Sequence, residues 1–259
     1  MLGKLIKHEF KDTMRLFLPM FGFIAVLTPI FSLMMSLGDN YEEEAGAALS
    51  VVFGSGIAGY FLLLFGLMIV TQILIVIRFY QTMASTEAYL TFTLPAKTGQ
   101  ILFAKWLVAM IWYIISCIVA IVSILMVLLI ATPITFQDIG YALTKMFEFI
   151  DFSNFMTILL MGLFVLISLS VTILRMYASV MIGQLARTHR VALSIGVYLG
   201  LSQGIQIILA LLSIPFVLLF PEIESVNVIL LLCCLVYGVL SAAFYITTYL
   251  LTVKKLNVR

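Results

Sequence analysis

Trp106–Ala131 reads WLVAMIWYIISCIVAIVSILMVLLIA and carries no charged residue. Its apolar residues are continuous rather than alternating, which argues against a transmembrane strand. At about 1.5 Å per residue, a helix of this length exceeds the roughly 30 Å of hydrocarbon in a bilayer. The run therefore predicts a spanning α-helix. Five further runs have the same character: Leu16–Met35, Leu49–Ile77, Met156–Ile182, Leu193–Phe220 and Val228–Val253. Several are longer than a span needs, so tilt or extension beyond the lipid is expected. The whole chain agrees: 64% of its 259 residues are hydrophobic, only 10% are charged, and mean hydropathy is +1.23, more than a water-soluble domain of this size can hide. The expected fold class is an all-α integral membrane protein with six transmembrane helices, forming a single transmembrane domain over residues 1–259.

The charges orient this arrangement. Of the 14 Lys and Arg, Lys4, Lys7, Lys11, Arg15, Arg78, Lys97, Lys105, Arg187, Arg190, Lys254, Lys255 and Arg259 fall on one set of connections; Lys145 falls on the other and Arg175 within a run. The positive-inside rule then predicts that both termini are cytoplasmic. The acids mirror this, with Asp39, Glu42, Glu43, Glu44, Asp138, Glu148, Asp151, Glu222 and Glu224 outside and only Glu9, Asp12 and Glu87 inside.

Residues 1–15 place Leu2, Leu5, Ile6, Phe10 and Met14 near one helical face, with Lys4, Lys7, Lys11 and Asp12 around the rest. This predicts an amphipathic interfacial helix on the cytoplasmic leaflet, ending before Pro19 lets the chain turn into the bilayer. No small-x-small cleavage site follows Met35, and more spans come after it, so the first run is read as retained rather than as a secretory signal. The outer connection, 131–155, mixes Phe136, Tyr141, Met146, Phe147, Phe149 and Phe152 with acids, which predicts a short helix at the outer interface.

Several chemistries are excluded by what is missing. No GxxxxGK[ST] phosphate loop occurs, so ATP hydrolysis by that route would have to come from a partner. His8 and His189 sit apart in basic segments, no HExxH pairing exists, and Cys117, Cys233 and Cys234 all lie inside runs as packing residues. The chain is therefore not expected to be an enzyme or to bind a metal or cofactor. An ion-coupled carrier would need titratable groups at depth, and no acid lies within the six runs. Their polar content includes Gln72, Gln203 and Gln206, candidates either to line a pathway or to join helices.

Two features of the spans stand out. Gly196, Gly200 and Gly204 recur at four-residue spacing, a stripe along which another helix, of this chain or of a second subunit, can approach closely. Arg175 lies about 30 Å along the helix from Phe155, which places it near the cytoplasmic boundary, either snorkelling or paired with an inner acid such as Glu87.

The longest cytoplasmic connection, 78–105, contains EAYLTFTLPAK, Glu87–Lys97. Thr86 suits an N-cap, Glu87 the positive end of a helix dipole, and Pro95 stops the helix. Tyr89, Leu90, Phe92 and Leu94 make the element apolar and aromatic. A helix of about two turns is not stable alone in water, so this one must pack against headgroups or against a cleft in a cytoplasmic partner.

These residues carry a resemblance. RFYQTMASTEAYLTFTLPAKTGQILFAKW (Arg78–Trp106), the start LGKLIKHEFKDTMRLFLPMF and IGQLARTHR (Ile182–Arg190), in a six-span order, resemble permease subunits of ABC transporters of the type-2 (ABC-2) exporter superfamily, over essentially the whole chain. The resemblance implies a permease in the bacterial cell membrane that pairs with a second permease, as homodimer or heterodimer, and with separate ABC ATPase subunits that bind ATP and magnesium. It implies that Glu87, Tyr89, Leu90, Phe92, Leu94 and Pro95 form the cytoplasmic coupling helix between spans 2 and 3. The large outer domain of some relatives is missing. No nucleic-acid partner is expected. The readings from other classes are an ion-coupled secondary transporter and a non-transporting membrane sensor or immunity protein.

Overall fold

In the computed structural model of the chain, the described residues are 2–41, 47–84, 97–131, 137–138, 140–141, 144–145, 152–186, 189–219 and 226–256. They form six long helices: α1 (Leu2–Tyr41), α2 (Ala47–Ala84), α3 (Thr98–Ala131), α4 (Phe152–Gly183), α5 (Arg190–Leu219) and α6 (Val226–Leu256). There is no strand among the described residues. Each helix holds an apolar stretch long enough to cross a membrane, from the 22 residues of Arg190–Leu211 to the 35 of Leu2–Ser36. By the length and composition of these helices, the chain is a multi-pass membrane protein. Within the outer connection, the described residues around Gly140 to Lys145 are helical, and Thr144 donates to the Gly140 and Tyr141 carbonyls at 3.1 and 2.8 Å.

The expected break at Pro19 is absent. α1 runs without interruption through Pro19 and Pro29, so residues 1–15 do not form a separate helix. A proline inside a helix deletes one backbone hydrogen bond and strains one turn, a local cost that anchors on both sides offset. Before Pro19, Trp112 of α3 is sandwiched between Phe10 and Phe17, with ring centroids 4.8 and 4.5 Å away and planes within 9°. After it, Ile24 packs with Leu67 and Ala120, supported by Met20, Phe21, Leu63 and Leu64. The buried face of α1 is therefore Thr13, Phe17, Ile24, Thr28 and Ser32, while Met14, expected on the apolar face, is exposed.

The helices group into two compact units: an N-terminal unit of Lys7–Ile75 with Ile111–Phe149, and a C-terminal unit of Met1–Ile6, Val76–Met110 and Ile150–Arg259. In the N-terminal unit, contacts advance together along α1 and α3 (Thr13 with Trp112, Thr28 with Ser123), so these helices are parallel. Contacts recede along α2 as they advance along α3 (Gln72 with Tyr113, Tyr60 with Ser123), so this pair is antiparallel.

In the C-terminal unit, α4 is the central element and buries Val171, Ile173, Leu174, Met176, Tyr177, Ala178, Val180 and Met181. α6 runs parallel to it: Thr157 donates to the Asn227 amide oxygen at 2.7 Å, the Cys234 thiol lies 3.8 Å from the Leu160 carbonyl, and Phe164 meets Tyr237 edge-on at 5.3 Å. α5 runs antiparallel to α4, and His189, just before it, adopts a left-handed φ of 57° while its carbonyl accepts the Leu193 N–H at 3.0 Å. The two helices touch at Gly183. A Cβ there would come within 2.8 Å of the Ser194 backbone, so only glycine permits the approach.

Candidate functional site

The coupling element expected at Glu87, Tyr89, Leu90, Phe92, Leu94 and Pro95 lies outside the described residues, as does 85–96 as a whole. Its two stems are described, and both belong to the C-terminal unit. On the α2 side, Phe79 is 1% exposed and stacks on Tyr177 at 3.8 Å with planes 10° apart. On the α3 side, the Lys97 carbonyl closes the first helical turn by accepting the Gln100 N–H at 2.8 Å. Tyr245 of α6 then donates to the Gly99 carbonyl at 3.2 Å, and Ile101, Leu102 and Ala104 are buried completely or nearly so. Further along, the Trp106 indole N–H donates to Ser170 at 2.9 Å.

At this end of the unit Tyr177 of α4 stacks on Phe79 of α2 and donates to the Lys105 carbonyl of α3 at 3.3 Å, so the three helices meet within two residues of Arg78, Lys105 and Arg175. Lys105 is buried in the unit, and both it and Arg78 have interaction partners. The Arg175 guanidinium carbon lies 5.1 Å from the centre of the Tyr198 ring on α5, and its Nε is buried with no hydrogen-bond partner among the described residues.

The candidate pathway residues fall in different units. Gln72 belongs to the N-terminal unit, where its amide donates to the Tyr113 hydroxyl at 2.7 Å. Gln203 and Gln206 are exposed on α5 in the C-terminal unit. A Cβ built on Gly196, Gly200 or Gly204 would meet nothing within 4 Å. The stripe therefore receives no helix of this chain among the described residues, and the close approach is at Gly183.

Sequence reasoning missed the buried polar seam of the N-terminal unit. Thr28 donates to the Ile24 carbonyl at 2.8 Å, so at its 2.8 Å contact with Ser123 the serine must donate, which leaves Tyr60 to donate to Ser123 at 2.9 Å. By the same reasoning Thr71, donating to the Leu67 carbonyl, accepts from Ser116 at 3.0 Å. Thr13, donating to the Glu9 carbonyl, accepts the Trp112 indole N–H at 2.8 Å. A signal was present: Trp112, Tyr113, Ser116 and Ser123 recur at helical spacing on a run with no charge. Among the described residues no cluster of His, Cys, Asp or Glu suits a metal ion, and the three cysteines are free. Comparison with protein-family models, with curated proteins and with solved structures yields no match.

Proposed function

We propose that the chain is the membrane-spanning permease subunit of an ATP-driven exporter of the ABC type-2 class, in a bacterial cell membrane with both termini in the cytoplasm. In this reading a separate ATPase binds ATP and magnesium, docks on Glu87–Pro95 and drives substrate outward, while this chain hydrolyses nothing. The observation that carries the reading is the mounting of the 85–96 segment. An apolar element with Tyr89, Leu90, Phe92 and Leu94 needs a surface to pack on, and its stems are fixed at Phe79, Gly99 and Leu102 in a close-packed part of the C-terminal unit. Close-packed interiors transmit displacement instead of absorbing it. A partner pressing on the segment would therefore move α2, α3 and α4 together.

The second permease of this reading is supported by α5. Amides facing lipid are costly, and a helix approaching along Gly196, Gly200 and Gly204 would come close enough to bond Gln203 or Gln206.

The deciding experiment is recovery of the ATPase with the permease from detergent. The wild-type chain is expected to bring down a roughly stoichiometric P-loop protein, and Leu90→Glu to lose about tenfold or more of it at equal permease level, the scale of a buried apolar anchor. Equal recovery by Leu90→Glu with normal transport removes the coupling role. An ion-coupled carrier or a sensor would recover no P-loop protein at all.

A further inference from the structure

One face of α1 changes chemistry along its length without a break in the helix. At about 3.6 residues per turn, Lys7, Lys11, Arg15, Leu18, Val26 and Leu33 fall within an arc of about 100°. Thr13, Phe17, Ile24 and Thr28, all buried, occupy the opposite arc and meet α2 and α3. The first arc is therefore the outer face of α1, and it is open: Leu18, Val26 and Leu33 are 56%, 63% and 56% exposed, and the three cations are exposed as well. Lys7, Lys11 and Arg15 form no ion pair among the described residues, and Asp12, at the flank of the row, turns to His8 at 3.1 Å.

Depth decides what meets these cations. Thr13, between Lys11 and Arg15 in the chain, accepts the Trp112 indole N–H at 2.8 Å, and Trp112 lies six residues, about 9 Å, beyond Trp106, where the charge-free run of α3 begins. The cations therefore stand beside a helix already inside its spanning run, and not on a stem projecting into water. From Lys7 to Arg15 the helix rises about 12 Å, enough to reach through a headgroup layer of roughly 5–8 Å. Long basic side chains at this depth lay their stems on apolar surface and lift their charge to the phosphates. Three cations in one row favour lipids of net negative charge, because a zwitterionic headgroup carries its own compensating ammonium. A soluble anion or a protein reaching in from the water would leave the apolar continuation of the same face uncovered.

We propose that the outer face of α1 is a site for anionic phospholipid, in which Lys7, Lys11 and Arg15 hold headgroup phosphates and Leu18, Val26 and Leu33 receive the acyl chains. The site is independent of whether an ATPase drives the chain.

The test places the full-length chain in phosphatidylcholine nanodiscs doped with phosphatidylglycerol or phosphatidylcholine, each carrying the same photoreactive acyl chain, and maps the adducts by mass spectrometry. The phosphatidylglycerol probe is expected to label α1 between Leu18 and Leu33 in preference to the phosphatidylcholine probe. Lys7→Gln, Lys11→Gln and Arg15→Gln should each lower that preference about fivefold, the worth of one basic residue at an anionic surface. The triple variant should abolish it while labelling of α4 and α6 persists, which shows that the chain is still folded, and Lys7→Arg with Lys11→Arg should keep it. Equal labelling of wild-type α1 by the two probes would reduce the face to an apolar surface. Loss of the preference on adding inorganic phosphate at constant ionic strength would make the row a soluble-anion site. Adducts on α1 that form in nanodiscs but not in native membranes would show that a protein covers the face. Each of these outcomes overturns the proposal, as does an undiminished preference in the triple variant.

Discussion

In the N-terminal unit, Gln72 is bonded to Tyr113, and Thr13, Thr28, Thr71, Ser116 and Ser123 are all engaged in bonds between α1, α2 and α3. On α5, Gln203 and Gln206 are exposed, and Gly196, Gly200 and Gly204 face open space. Both regions are apolar helices seeded with a few polar residues. In the first, polarity is consumed in holding the chain's own helices together. In the second, it is left available to something outside the chain. The same residue type therefore has two energetic meanings, fixed by whether a neighbouring helix supplies the complementary atom.

The contrast can be tested at three scales. The largest effect belongs to Trp112→Ala, which removes the ring between Phe10 and Phe17 and leaves Thr13 without its donor. Thermal unfolding of the purified chain should show a loss of about 3–5 kcal/mol. A loss below 1 kcal/mol would mean that Trp112 does not anchor α1, and that the closed character of the N-terminal unit lies elsewhere.

Next comes a pair of glycines. Gly183→Val should destabilise the isolated chain by about 1–3 kcal/mol, because its side chain has no room against the Ser194 backbone. Gly200→Leu should stay within about 0.5 kcal/mol of wild type while, if the proposed second permease packs on this stripe, lowering association with it. If Gly200→Leu destabilises the lone chain as much as Gly183→Val, α5 is not open and the contrast fails.

The smallest effect separates the glutamines. Gln72→Leu should lose about 0.6 kcal/mol, the average for an interhelical hydrogen bond in a membrane, whereas Gln203→Leu should cost the isolated chain nothing. Equal costs on denaturant unfolding would show that the Gln72–Tyr113 bond adds no stability.

What the sequence makes legible is the part governed by composition. The six spans follow from apolar length alone, and each appears as a helix. The expectation at Pro19 fails because the cost of a proline is local and readable, while the anchors that offset it, Trp112 above all, lie far away along the chain. The glycine stripe attracts attention through its periodicity, yet the close contact is at Gly183, a single glycine at a helix end with no pattern to announce it. Gln72 reads as a candidate pathway residue, and nothing in the sequence announces that its amide donates to Tyr113, 41 positions away. The amphipathic reading of residues 1–15 ranks faces by local hydrophobicity and so overlooks Thr13, a polar residue buried because Trp112 needs an acceptor. For Glu87 to Pro95, the sequence remains the source of the reading.

The bonds from Tyr60 through Ser123 to Thr28 all run in one direction and end on the Ile24 carbonyl. Proton conduction along a row of hydroxyls requires each member to receive a proton on one side and release one on the other, and then to rotate back. A backbone carbonyl has no proton to release. The row therefore has a closed end, and a proton entering at Tyr60 has no onward step beyond Thr28. Any transport this protein performs is therefore not driven by protons relayed along that seam.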